Sequence, residues 1–165
     1  MTTLPTTLLS TAARAPDSLL WRVDDTLWAT LCPILRDAGS SRHPRLSAAD
    51  DRRFMNGLIW LLRTGAQWKA LPEEFGPRST LHARFQEWVR AGAFDQALEA
   101  VSRRYGNQQA LAAEDRTSAY TFRRLLSHWD REPANFKAFT QLAAMLTLYR
   151  KARRAPQLAG ERLAG

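Results

Sequence analysis

The chain has 165 residues, 45% of them hydrophobic and 24% charged, which is the balance of a globular protein with length for one ordinary domain or two small ones. Lys and Arg number 24 against 16 Asp and Glu, and the resulting formal charge of +8 suits a polyanion partner, because neutralised phosphates release counterions. A single cysteine, Cys32, excludes an internal disulfide and points to a reducing, cytoplasmic setting, and no apolar run reaches the length of a membrane span.

Helical periodicity runs through most of the chain and strand alternation is scarcely present, so the expected fold class is all-α. Residues 1–20, rich in Thr and Ala and without a basic start, read as a disordered leader rather than a signal peptide. A first helix is expected over residues 24–35. Its stripe is Val23, Leu27, Leu31 and Ile34, Asp24 and Asp25 stand at its start, and Pro33 should disturb its last turn. A basic loop containing Arg42, His43 and Arg45 comes next. The second helix is the clearest. Ser47 caps it, Asp50 and Asp51 fill its first turn, Phe54, Leu58, Leu61 and Leu62 line one face, and Gly65 ends it.

Residues 66–71 form a short turn-rich piece closed by Pro72 and Gly76. A third helix over 79–90 places Leu81, Phe85, Trp88 and Val89 at helical spacing, and a fourth covers 94–105. Residues 106–113 read as a linker. Two further helices are expected over 116–129 and 135–153, hinged at 131–134, with a frayed tail from 155 to 165. Residues 114–165 carry ten basic and five acidic side chains and so hold most of the positive surplus, as a basic arm on a milder body would.

No histidine pairs with another, or with Cys32, at metal-ligand spacing, and no phosphate loop or nucleophile elbow occurs. The adjacent carboxylates at 24–25, 50–51 and 114–115 begin predicted helices, where capping and the helix dipole account for them. Trp60, Trp68 and Trp88 fall on faces shared with Leu and Ile, which fits a core of bulky residues better than a base-stacking platform. The outward face of the third helix differs. Ser79, Ala83, Gln86 and Arg90 lie opposite its apolar stripe, flanked by Arg78, Thr80, His82 and Arg84. After the turn at Gly76 this reads as helix, turn, helix, an arrangement that sets its second helix in the major groove. A solvated polar face has the same composition.

The segment from Asp50 to Val101 resembles the N-terminal helical domain of bacterial insertion-sequence transposases of the Asp-Asp-Glu type. The resemblance rests on a long string: Asn56-Gly-x-x-Trp60-x-x-Arg63-Thr-Gly-x-x-Trp68-x-x-Leu71-Pro-Glu-Glu-Phe-Gly76. The run from Trp21 to Leu35 is similar to the start of that domain, and Arg42-His-Pro-Arg45 stands where the family has a basic Gly-Arg-Pro-Arg stretch. Farther on, Asp115-Arg-Thr117, Phe122-Arg-Arg-Leu-Leu126 and Glu132-Pro-Ala-Asn135 are similar to the closing helices of these enzymes. The family carries a ribonuclease H-like catalytic domain between its two ends; here residues 106–113 stand in that place, with no strand pattern and no candidate aspartate.

The resemblance implies a helix-turn-helix-like domain over 21–105 and a C-terminal helical remnant over 114–154. In that remnant Glu114 or Asp115 stands for the third metal-binding acid. Two-metal strand transfer needs several carboxylates around both ions. The expectation is therefore a truncated transposase that binds DNA without cutting it, holds no metal and needs no cofactor, although the family uses magnesium. The alternatives are a helical interaction module that pairs with intact transposase, or an enzyme completed by a partner chain. The expected partner is nucleoid DNA carrying the terminal inverted repeats of an insertion element, with intact transposase or self-association second and no membrane. Arg78, Thr80, His82, Arg84, Gln86 and Arg90 would face DNA, with sequence read by the third helix and Gln86 its most informative probe. Arg42, Arg45, Arg150, Lys151, Arg153 and Arg154 would supply phosphate contacts. The C-terminal helices, having lost the sheet they cover in the family, should be loosely attached.

Overall fold

A computed structural model of the chain describes residues 22–39, 46–106, 122–127 and 130–163, with 154–163 as backbone only. Among the described residues there are five α-helices and no strand: α1 (Asp25–Ala38), α2 (Ala48–Thr64), α3 (Arg78–Arg90), α4 (Ala93–Tyr105) and α5 (Pro133–Leu163). The all-α expectation holds. No helix among these residues is long and apolar enough to cross a membrane.

Local chemistry sets the helix ends. The Asp24 carboxylate accepts from the Leu27 N–H at 2.9 Å and caps α1. Ser47 and Asp50 form a reciprocal capping box at the start of α2, which stops at Gly65 in the left-handed conformation (φ 68°). α1 runs three residues past its expected end, with Pro33 inside it. The backbone hydrogen bond lost at the exposed proline is outweighed by the contacts of the turn around it. Leu35 is fully buried there, and its carbonyl accepts from the Trp88 indole N–H at 3.0 Å.

The connection from α2 to α3 contains two single 3-10 turns, Trp68–Ala70 and Glu73–Phe75. The short piece before Gly76 is thus a turn, and α2 and α3 are the long helices it joins. Gly76 (φ 99°) packs so closely on Phe54 that an added Cβ would lie 2.7 Å from the ring.

One apolar core runs from Val23 on the α1 approach to Tyr149 on α5. Phe54, Leu58, Leu61, Phe85 and Trp88 are at its centre, and Trp68 packs half-buried against it. The C-terminal helix is not loosely attached. α5 lies along α4 and also touches α3 and α2. Phe139, Leu142, Met145 and Leu146 are buried, and Phe94, Ala97 and Val101 of α4 belong to the same cluster. The apolar stripe that should have lacked a partner has found one on the neighbouring helix; Phe136, 40% exposed, is its outlier.

The expected helix over 116–129 falls partly outside the described residues; the part within them, 122–127, contains a single 3-10 turn, Arg123–Leu125. α5 continues as helix through Leu163, past its expected end at residue 153. The expected leader, most of the linker, and Arg42, His43, Arg45, Glu114, Asp115 and His128 lie outside the described residues.

Candidate nucleic-acid interface

α3 is fixed by its inner face. Arg84 is 1% exposed and donates through Nε and Nη2 to the two oxygens of Asp51, at 2.8 and 3.0 Å; Asp51 is 0% exposed. Its Nη1 donates to Glu87 Oε2 at 3.1 Å and to the Gly39 carbonyl. Arg36 reaches the same aspartate at 3.2 Å and gives the Leu46 carbonyl a hydrogen bond at 2.5 Å. The cluster therefore grips the chain on both sides of residues 40–45. Burial disfavours the Arg84 charge, but the Asp51 and Glu87 carboxylates more than compensate and raise its pKa above the ordinary arginine value. An added Cβ on Gly39 would press on the Arg84 guanidinium, which would have to shift to make room.

This overturns two readings of the sequence. Arg84 does not flank an outward face; it is a core residue. Asp51 is not explained by capping, which Asp50 alone performs through Ser47. The signal was legible: Asp51 falls on the stripe of Phe54, Met55 and Leu58, and Arg84 on that of Leu81, Phe85 and Trp88, with opposite charges.

The outer face of α3 presents Arg78, Ser79, His82 and Arg90 to solvent, with Thr80 and Gln86 half-buried. Its N-cap, Pro77, makes no side-chain capping bond. Arg78 donates to the Lys69 carbonyl at 2.8 Å, which ties the helix start to the first 3-10 turn. His82 stands edge-on to Trp68, ring centroids 4.8 Å apart. The Arg90 Nε bonds to the Gln86 carbonyl at 3.1 Å. The Gln86 amide donates to the Asn135 side chain of α5 at 2.9 Å, so α5 already engages the second half of this face.

The basic residues of α5 are not on α3's face. Arg150 and Lys151 are half-buried, each with a partner of its own. Arg153 pairs with Asp24 at 2.7 Å, and the Tyr149 hydroxyl donates to the same carboxylate. Burial works against the Asp24 charge, yet the Leu27 N–H, Tyr149 and Arg153 together hold its pKa below the usual aspartate value. The side chain of Arg154 lies outside the described residues.

Sequence reasoning missed Arg124. It is 0% exposed, bidentate to Asp130 at 2.8 and 2.9 Å, and donates to the Ala66 carbonyl at 2.7 Å. Its guanidinium sits 4.3 Å from the Phe139 ring centroid and 5.5 Å from that of Trp68. Aromatic rings do stand beside cations here, but the rings under Arg124 belong to the interior rather than to a stacking platform.

The acids that the resemblance assigns to magnesium, Glu114 and Asp115, lie outside the described residues. Among the described residues no three His, Cys, Asp or Glu side chains converge. Cys32 is half-buried and unbridged.

Comparison with known proteins gives this geometry its relatives. Residues 23–98 match the family model described as "Putative transposase of IS4/5 family (DUF4096)". The chain is 32% identical over 81 residues to the "Insertion element IS402 uncharacterized 16.2 kDa protein" of Burkholderia cepacia, covering 47% of this chain and 55% of that protein. It is 29% identical over 65 residues to the "Uncharacterized protein y4sN" of Sinorhizobium fredii, covering 39% of this chain and 52% of that one. The chain spans about half the length of these curated relatives. No solved structure matches it. The segment that holds α1, α2, α3 and the first half of α4 is therefore the part of this chain that is similar to the IS4/5 transposase family.

Proposed function

We propose that this protein is a DNA-binding derivative of an insertion-sequence transposase, with α2, the turns after it and α3 as a helix-turn-helix-like reading unit, and with no strand-cutting centre of its own. The observation that carries the reading is the division of α3. Its inner face is immobilised by Arg84 and Trp88, while Arg78, Ser79 and His82 stand in solvent at the start of the helix. Recognition helices use their N-terminal residues on base edges, and a helix held rigidly from behind loses little freedom when it docks. The +8 charge and the family relation support the same reading. Gln86 can reach a base only by giving up Asn135, so the discriminating residues are sought in the first half of α3.

The test is fluorescence anisotropy with terminal-repeat and scrambled duplexes across a salt series. The protein should prefer the repeat, and His82→Ala should cost on the order of 1–3 kcal/mol on the repeat and little on scrambled DNA. Equal losses on both duplexes would remove α3 as the reader. Absence of binding to either duplex at low salt would sink the function itself.

A further inference from the structure

We propose that the phosphate backbone of the bound DNA follows a basic groove running from α5, past the start of α1, to the foot of α3; this inference rests on the DNA-binding reading above. Three clefts of about 490, 450 and 520 Å³ adjoin one another: the first two share Arg22, Val23 and Arg52, and the last two share Arg53. The first is walled by Arg150 and Arg153 of α5 together with Arg22 and Arg52. Arg22 and Arg52 also wall the second, which adds Arg53. Arg53 passes into the third, where Lys69 and Arg78 complete the cationic lining.

Seven cations face four carboxylates along this path, and six of the seven are arginines, whose planar donor fork matches phosphate oxygens. The two acids at the α5 end are already engaged. Asp24 is held by Leu27, Tyr149 and Arg153, and Asp25 accepts from Arg52 at 2.7 Å. Of the other two, both exposed, Glu74 lines the middle cleft with Arg22, Arg52 and Arg53, and Glu73 lines the last with Lys69 and Arg78. The groove ends where Arg78 opens α3, so a strand lying in it brings its neighbouring bases to Ser79 and His82. An acidic protein would find the same charges, but not the same continuity with a base-reading helix.

The triple variant Arg22→Gln, Arg53→Gln, Lys69→Gln removes three groove cations and leaves α3 intact. A second triple, Arg103→Gln, Arg104→Gln, Lys137→Gln, removes the same charge from exposed sites on α4 and α5 outside the groove. Circular dichroism and thermal melts establish that both fold. The slope of log affinity against log salt should become shallower by about 2.7 for the groove triple, at ~0.9 per phosphate contact, on terminal-repeat and scrambled DNA alike. The control triple should change it far less. Matching slopes for the two triples, or an unchanged slope for the groove triple while the parent protein binds, overturns the groove. A parent protein that binds neither duplex overturns the DNA-binding reading instead.

Discussion

On the inward side of α3, Arg84 grips Asp51 with two nitrogens at 1% exposure; less than two turns further along, Arg90 stands in solvent against a backbone carbonyl. Both are arginines on one helix of a basic protein, and their surroundings give them different tasks. The interior ion cluster joins α1, α2 and α3 and holds Gly39 and Leu46, whereas the outer face carries charge that is free to meet a partner. Net charge alone therefore overstates what is offered to a polyanion, because part of the arginine content is engaged inside the fold.

The sharpest way to break this contrast is to remove each arginine in turn. Arg84→Met leaves Asp51 buried without its main partner and should cost about 3–5 kcal/mol in urea unfolding, while Arg90→Met should stay within ~0.5 kcal/mol. Adding Asp51→Leu to Arg84→Met should recover much of the loss, since an apolar pair can replace a buried ion pair of similar volume. Comparable effects for Arg84→Met and Arg90→Met would mean that the inner cluster is not the brace it looks like. The next effect in size is at the approach of chain to cluster. Gly39→Ala sets a methyl group against a guanidinium that is fixed by two carboxylates and has little room to yield, so a loss of about 1–3 kcal/mol is expected. A neutral result there would show that Arg84 can release the Gly39 carbonyl at no cost.

Those same particulars show what a sequence can disclose. The Ser47 cap of α2, its Gly65 stop and the apolar stripes of α1, α2 and α3 were legible because they depend on residues close together in the chain. The docking of α5 on α4 was not, because an apolar stripe announces that it needs cover without naming the cover. The resemblance pointed the wrong way here: it implied helices left without the sheet they cover, whereas α5 is covered by α4. Arg84 was misread for a related reason. A charged residue on a helix is normally assigned to water, and only its coincidence with an apolar stripe, together with an acid on the facing stripe of α2, marks it as interior. Arg124 left even less trace, since its partner Asp130, the Ala66 carbonyl and the Phe139 ring come from three separate stretches of chain.

The smallest expected effect is at the other joint between the two ends of the chain, where Asp24 of the α1 cap meets Tyr149 and Arg153 of α5. The folded carboxyl titrates below its ordinary value of 3.8. A depressed folded pKa means that the contribution to stability is fully present above the unfolded value. It is lost as pH falls through the folded one, so the window lies below about pH 4. The side chain is 35% exposed, and solvent screening keeps the contribution modest. Asn caps helices about as well as Asp, so Asp24→Asn preserves the bond to Leu27 and deletes only the charge that α5 answers. The variant should be slightly less stable at neutral pH, and its stability should fall less steeply than the parent's on acidification below pH 4. The slope will not vanish, because Asp50 and Asp95 are also held below their ordinary values, the first by Ser47 and the second by Lys137 and Gln141. Thermal melts of both proteins from pH 7 to pH 3 decide the matter: parallel curves would mean that the contact between α5 and the α1 cap is carried by its apolar neighbours and owes nothing to the Asp24 charge.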